Sequence, residues 1–268
     1  MTALELLFST IYIAAVGIIS LRTKILDKTG VIAAIFVGGS ILIFGGEKWF
    51  LLLLTFHFIA AYFTRYKHEN KNKVETAEAK GGIRDWKNVL ANGVTASVLA
   101  ICFRLTLLKQ FAASYLGVIS ISIADTLATE LGLLSHNEPR LITNLQVKVK
   151  AGVSGGITLL GEIASLFGSF IISLIAIIVN FGGLTIFQIL INSFLIGFLG
   201  CNLDSLLGAT IQIVRKCKVC GKVTEKKIHC KQPAEYSKGI KFIDNNMVNF
   251  ISTIFGAVFV ILTYPYVS

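Results

Sequence analysis

Long apolar runs, separated by short bunches of polar and charged residues, organise this chain of 268 residues. Eight runs can be marked, at 4–19, 31–44, 50–63, 89–107, 111–134, 156–179, 184–214 and 248–264. A membrane helix needs roughly 20 apolar residues to cross a hydrocarbon layer of ~30 Å. The second run is short for that layer, and the seventh is long enough to extend beyond it. Ten-residue segments of alternating polarity are absent, which argues against a β-barrel. The pattern predicts an all-α polytopic membrane bundle of about eight transmembrane helices, with 1–268 as a single membrane domain.

Composition agrees. Hydrophobic residues make up 54% of the chain and charged residues only 15%, against about 25% charged in a soluble domain. Three prolines leave the helices mostly unbroken, while many of the 24 glycines sit inside apolar runs. Small residues let helix backbones approach closely in lipid. The N-terminus has no basic region followed by a small-residue cleavage site, so the first run reads as a retained span.

Charge sets the expected orientation. The segments 21–30, 64–88, 136–151 and 215–241 hold 22 of the 25 Lys and Arg residues. They alternate with nearly uncharged connections, as eight spans require. The positive-inside rule places these four in the cytoplasm and both termini outside, in a multi-pass protein of the cell membrane. Asp125, Glu130, Glu162 and Asp204 then fall in the cytoplasmic halves of the fifth, sixth and seventh runs. An ionised Asp at the centre of a membrane helix costs about 2.5–3.5 kcal/mol. Four such groups near one level call for a metal, a partner or water.

Several stretches could carry chemistry. Residues 84–93 place Arg84 and Lys87 at the membrane surface, followed by Asn88 and Asn92, which share a helix face. Ser122, Asp125 and Thr129 form one polar stripe, with Glu130 about 140° from Asp125. Arg140 precedes a Gly-rich stretch with Ser154, Gly155, Gly156 and Thr158 at the entry to the sixth run. Glycines allow close backbone approach, and a helix N-terminus presents N–H groups to an anion. No Gly-Lys-Ser/Thr follows, so it is not a Walker A motif. Ser205, Gly208, Ala209 and Gln212 share a face beside Asp204 and suit the approach of another helix. Asn245 and Asn249 repeat the amide pair at the start of the eighth run. Snorkelling Arg and Lys, interhelical hydrogen bonds and an ordinary turn are the plain readings of these features.

The five cysteines are no disulfide framework. Cys217, Cys220, His229 and Cys230 lie in the Lys-rich segment 215–241. Cys-x2-Cys is zinc-knuckle spacing, and structural Zn2+ is expected there. Adjacent His229 and Cys230 are irregular, because neighbours must both turn towards one ion. The loop lacks interleaved aromatics, and topology explains its charge, so no nucleic acid is expected as a partner.

Residues 89–93, 124–132, 139–143, 152–161, 204–212 and 244–249 together resemble the membrane family that contains phytyl-phosphate kinase and transmembrane protein 19. The resemblance covers most of the chain, and the cysteine loop is similar to that of its prokaryotic, especially archaeal, members. It implies transfer of a phosphoryl group from a nucleoside triphosphate, often CTP, to a prenyl monophosphate such as phytyl or geranylgeranyl phosphate.

Residue roles come from chemistry and position. Phosphoryl transfer needs metal-binding carboxylates and cationic clamps on phosphates. Asp125 and Asp204, with Glu130 or Glu162, are the expected Mg2+ ligands and catalytic carboxylates. Arg84, Lys87, Asn88, Asn92, Arg140, Ser154, Gly155, Gly156, Thr158, Asn245 and Asn249 are the expected phosphate and substrate contacts. The partners implied are the lipid membrane, a nucleoside triphosphate and a prenyl phosphate, with a homo-oligomer left open. Two other readings stay open: a nucleotidyltransferase forming a CDP-lipid, and a transporter of ions or lipid phosphates. The bare outer half of the chain weighs against transport.

Overall fold

The computed structural model describes residues 3–67, 82–221, 223, 224 and 227–267, with 3–9 as backbone only. Residues 68–81 of the basic segment 64–88, and Lys222 and Lys226, lie outside the described residues. Eight helical rods run antiparallel among the described residues. They are α1 (Ala3–Arg22), α2 (Lys28–Gly45), α3 (Glu47–Arg65), α4 (Trp86–Thr106), α5 (Lys109–Gly132), α6 (Leu159–Ile178), α7 (Ile186–Thr210) and α8 (Asn245–Val267). All but α1 and α3 are long and apolar enough to cross a membrane. In α1 the described apolar part is Thr10–Arg22. α3 carries Glu47 and Lys48 at one end and Arg65 at the other.

The second run, short in the sequence, becomes a helix long and apolar enough to cross a membrane. A π-helical turn at Ile41–Gly45 prolongs α2 to 18 residues. A second π turn, Leu190–Leu195, lies inside α7. The sixth and seventh runs are shorter as helices than their apolar extent. α6 starts at Leu159, because Gly156–Ile157 is a strand and Thr158 caps the helix through its hydroxyl. α7 stops at Thr210, because backbone pairing of Ile211 and Ile213 with residues near α8 takes over.

α5 is the axis. Every residue from Ala112 to Ala124 is buried, whereas the surrounding helices keep an exposed apolar side. The sequence permits this through Ala112, Ala113, Ser114, Gly117, Ser120 and Ser122, whose small side chains admit neighbours from all directions. Gly168 of α6 packs on the backbone of Ile123 and Ala124, and Gly161 on the carbonyl of Ala128.

The two ends differ in chemistry. At one end Trp49 sits among Phe103, Tyr115 and Phe181, with ring centroids 4.4–5.1 Å apart. Tyr115 donates to the Trp49 carbonyl at 2.6 Å. The other end gathers the basic segments and two small β elements. In the first, β1 (Arg140–Leu141) lies between β2 (Asn144–Lys148) and β3 (Gly156–Ile157). In the second, β4 (Val214–Lys216) lies between β5 (Val223–Thr224) and β8 (Glu235–Lys238), with a hairpin of β6 (Ile228–His229) and β7 (Gln232–Pro233) beside it.

Candidate functional site

Three helices carry carboxylates towards the basic end of the bundle, around Cys201, although their oxygens do not meet as a group of three. Asp125 of α5, Glu162 of α6 and Asp204 of α7 all act electrostatically on the buried thiol of Cys201. Asp204 is the most enclosed of the three, at 7% exposure. Its Oδ2 accepts a hydrogen bond from the Ser252 hydroxyl at 3.1 Å. The Asn249 amide, oriented to satisfy both its partners, donates to the same oxygen at 3.3 Å and to the Asn245 carbonyl at 2.9 Å. Two donors on successive turns of α8 thus fix one carboxylate of α7. Glu162 is fixed in a similar way, since Asn202 of α7 donates to its Oε2 at 3.0 Å.

The polar stripe of α5 grades from dry to wet. Ser122 is buried, Asp125 half-buried and Thr129 exposed. Asp125 therefore sits where the bundle interior opens towards the basic end. Glu130 is half-buried one residue beyond Thr129.

Arg84 stands between this region and a groove. Its N–H donates to the Ile25 carbonyl at 3.0 Å, and its own carbonyl accepts from Asp27 N–H at 3.0 Å. Asp85 then caps α4 by accepting from the N–H groups of Lys87 and Asn88. These backbone ties hold Arg84 just outside the helix, 8% exposed, with its guanidinium over the Phe56 ring at 5.6 Å. Its charge reaches both Asp125 on α5 and His57 on α3.

The groove is formed by α1, α2, α3 and α4. Ser20, His57, Arg84, Asn88 and Asn92 line its polar end, and residues such as Ile13, Ile35, Phe50 and Leu53 line its apolar remainder. Ser20 Oγ and His57 Nε2 are 2.9 Å apart, so the histidine is hydrogen-bonded rather than exposed as a base. From His57 to Phe50 along α3 the groove runs for about 10 Å at 1.5 Å per residue. A polar end and an apolar remainder match an amphiphile with one anionic end.

The Gly-rich loop packs against α7 just beyond Asp204. An added Cβ at Gly155 would lie 2.3 Å from Ala209 Cβ and 2.9 Å from its backbone nitrogen. Gly155 also has φ +77°. The small face of α7 therefore receives this loop, not the helix expected from the sequence. The loop sits one turn beyond Asp204. Gly155→Ala is expected to destabilise the protein by about 2–4 kcal/mol, from left-handed backbone strain plus overpacking against a backbone that cannot yield. Thermal melting in detergent checks it, and an unchanged Tm would show that the loop is free to move away from α7.

The model of the family described as integral membrane protein DUF92 matches residues 11–257. The chain belongs to this DUF92 family. It is 31% identical over 267 residues to the uncharacterized membrane protein MJ0933 of Methanocaldococcus jannaschii, with 98% of this chain and 96% of that one covered. It is 32% identical over 273 residues to Protein PGR of Arabidopsis thaliana, with 92% of each chain covered. The uncharacterized membrane protein sll0875 of Synechocystis is 32% identical over 175 residues, covering 62% of this chain and 64% of that one. No solved structure matches the chain.

Not every expected contact of this DUF92 chain gathers at the carboxylates. Lys87 is exposed and lies over the Trp86 ring, as a snorkelling lysine does. Arg140 donates to the Leu145 carbonyl and lines a second concavity with Glu138, Lys148 and Thr158. Thr158 commits its hydroxyl to Gly161 N–H, so α6 caps itself. Asn245 is exposed and contributes its carbonyl to Asn249. Sequence reasoning missed Ser252 and Cys201. Ser252 lies three residues after Asn249, so it shares a helix face with it, and that spacing was the available signal.

The cysteine segment does converge. The ligand atoms of Cys217, Cys220, His229 and Cys230 all lie within 4.8 Å of one another. His229 Nδ1 is 3.5 Å from Cys220 Sγ and 3.3 Å from Cys230 Sγ. Neighbouring His229 and Cys230 can face one centre because Cys230 and Lys231 adopt left-handed backbone, at φ +49° and +61°. The N–H groups of Cys220 and Val219 point to Cys217 and hold its thiol at about 6, below its usual range. Among the described residues, this is the one place where three or more His, Cys, Asp or Glu donors meet.

Proposed function

We propose that this protein transfers the γ-phosphoryl group of a nucleoside triphosphate, with CTP the expected donor, to a prenyl monophosphate. The observation that carries this reading is the position of Arg84, buried between an apolar groove and Asp125. A prenyl tail in the groove would place its phosphate against Arg84, Asn88 and Asn92. A transporter offers no comparable reason for a groove with one polar end whose arginine also acts on a carboxylate of α5.

Carboxylates are hard oxygen donors, and Mg2+ is commonly bound by one or two of them together with substrate phosphates. Asp125 and Asp204, which both act on Cys201 from separate helices, would supply such oxygens to Mg2+, with Glu162 as a third donor on α6. When bound, the ion would neutralise charge on the triphosphate. The chain's own residues do the rest. Arg84 orients the acceptor phosphate, the bundle excludes water, and Asn249 and Ser252 keep Asp204 in place. An oxygen of the acceptor monophosphate attacks the γ-phosphorus. The bond from that phosphorus to the β–γ bridging oxygen breaks, and the nucleoside diphosphate leaves. The acceptor is already anionic at neutral pH, so no general base is required. On the positive-inside rule the site faces the cytoplasm, where nucleotide is available.

Purified protein, incubated with geranylgeranyl phosphate, Mg2+ and each nucleoside triphosphate, should yield geranylgeranyl diphosphate, identified by mass. A CDP-lipid would replace this reading with nucleotidyl transfer. No reaction with any nucleotide, from protein that melts cooperatively, would overturn it.

A further inference from the structure

We infer that the segment between α7 and α8 is a structural zinc module of Cys3His type, and that the metal secures the end of α7 that carries Asp204. This inference does not depend on the proposed reaction.

The first argument is the ligand set. Cys217, Cys220, His229 and Cys230 supply three thiolates and one imidazole within 4.8 Å of one another. Three sulfurs and one nitrogen at this spacing suit tetrahedral zinc, and four protein ligands leave no open position, as in structural sites. Gly221 turns the chain after Cys220 with φ +69°, and its N–H donates to the Cys217 carbonyl at 3.0 Å. That turn aims two sulfurs at one point. Three thiolates around Zn2+ leave a net negative charge. Lys216, Lys218, Lys227 and Lys231, close in sequence, offset it.

The second argument is the lack of any other core. Among the described residues from 214 to 241, only Val214 and Cys217 are buried. All four residues of β8 are exposed, and Val219, Val223, Ile228 and Tyr236 are more than half exposed. A unit of this size cannot be held by hydrophobic burial and needs a metal or cross-links. Zinc supplies what the sheet lacks.

The third argument is the attachment. Lys238 Nζ donates to the Ala209 carbonyl at 3.3 Å, and Ile240 N–H to the Ile211 carbonyl at 2.8 Å. Ile213 N–H donates to the Ile243 carbonyl at 2.8 Å. An added Cβ at Gly239 would lie 2.0 Å from the Gln212 carbonyl oxygen, so the module sits directly on the end of α7. Ala209 is also the residue on which Gly155 packs. Module, Gly-rich loop and α7 thus meet within two turns of Asp204.

The test is metal analysis of the full-length protein, purified without chelator. One zinc per chain is expected, with content falling to background in the Cys217→Ser, Cys220→Ser double variant and unchanged in Cys102→Ser. As a readout that does not depend on folding of the double variant, wild-type protein is also exchanged with Co2+. It should show the visible absorption of tetrahedral cobalt with thiolate charge transfer. Removing zinc from the wild type with a chelator should lower Tm and open the 215–241 segment to trypsin, both reversed by adding zinc. Wild-type protein without zinc, iron in its place, a Cys217–Cys220 disulfide, or zinc retained by the double variant would each overturn the assignment. Zinc loss with no change in Tm or cleavage would overturn the securing role.

Discussion

Asp204→Asn is expected to remove most transferase activity while leaving the fold intact. The carboxylate accepts from Ser252 and Asn249 through one oxygen, Oδ2. An asparagine carbonyl placed there accepts both bonds, so neither donor is orphaned. What disappears is the charge. Loss of one charged group from a preorganised phosphoryl-transfer site typically costs about 10²- to 10³-fold in turnover. Asp204→Ala should behave differently, because it strands an Asn249 amide N–H in a buried setting, while Ser252 keeps the Val248 carbonyl, and it costs a further 1–3 kcal/mol or so of stability. Asp125→Asn is expected to match Asp204→Asn in activity. Turnover and melting temperature, measured on the same samples, decide the matter. Two asparagine variants with near-normal turnover would remove both residues from the mechanism.

Arg84→Ala is expected to reduce turnover by about 10²- to 10³-fold and to raise KM for the prenyl phosphate more than KM for the nucleotide. The reason is position. Arg84 lines the polar end of the groove, and its charge also reaches Asp125. Arg84→Lys should restore only part of the activity. Lysine keeps the charge but loses the planar fork that matches a phosphate and stacks on Phe56. A purely structural arginine would give another pattern, with lowered Tm and normal kinetics per folded molecule. Equal kinetic constants for wild type, lysine and alanine forms would exclude Arg84 from substrate binding.

These two residues show how unevenly the site was legible. Asp204 stands out in the sequence because a charge inside an apolar run is costly and therefore conspicuous. Arg84 does not, because an arginine at a membrane surface is ordinary and most of them only snorkel. Lys87, three residues away, is exposed and lies over the Trp86 ring. What separates the pair is the backbone tie of Arg84 to Ile25 and Asp27, a contact that spans nearly sixty positions. The cysteine cluster lies between these cases. Its spacing gave a reason to expect a metal, but the left-handed backbone at Cys230 that lets His229 and Cys230 share a centre is a property of the folded chain.

The sequence by itself determined the number of helical rods, the basic end and which apolar runs carry the carboxylates. All of these follow from one-dimensional patterns of polarity and charge. Only the tertiary structure decided that α5 is the axis, that Asn249 and Ser252 grip Asp204, that a loop rather than a helix covers Gly208 and Ala209, and that four helices enclose a groove ending at Arg84. The physical reason is the solvent. In water, a helix advertises its inner face by contrast with a polar outer face. In lipid, the outer face is as apolar as the core, so periodicity carries little sidedness. The rotation of each helix is then set by close packing of small residues and by hydrogen bonds between distant turns, and neither is written in any single stretch of the chain.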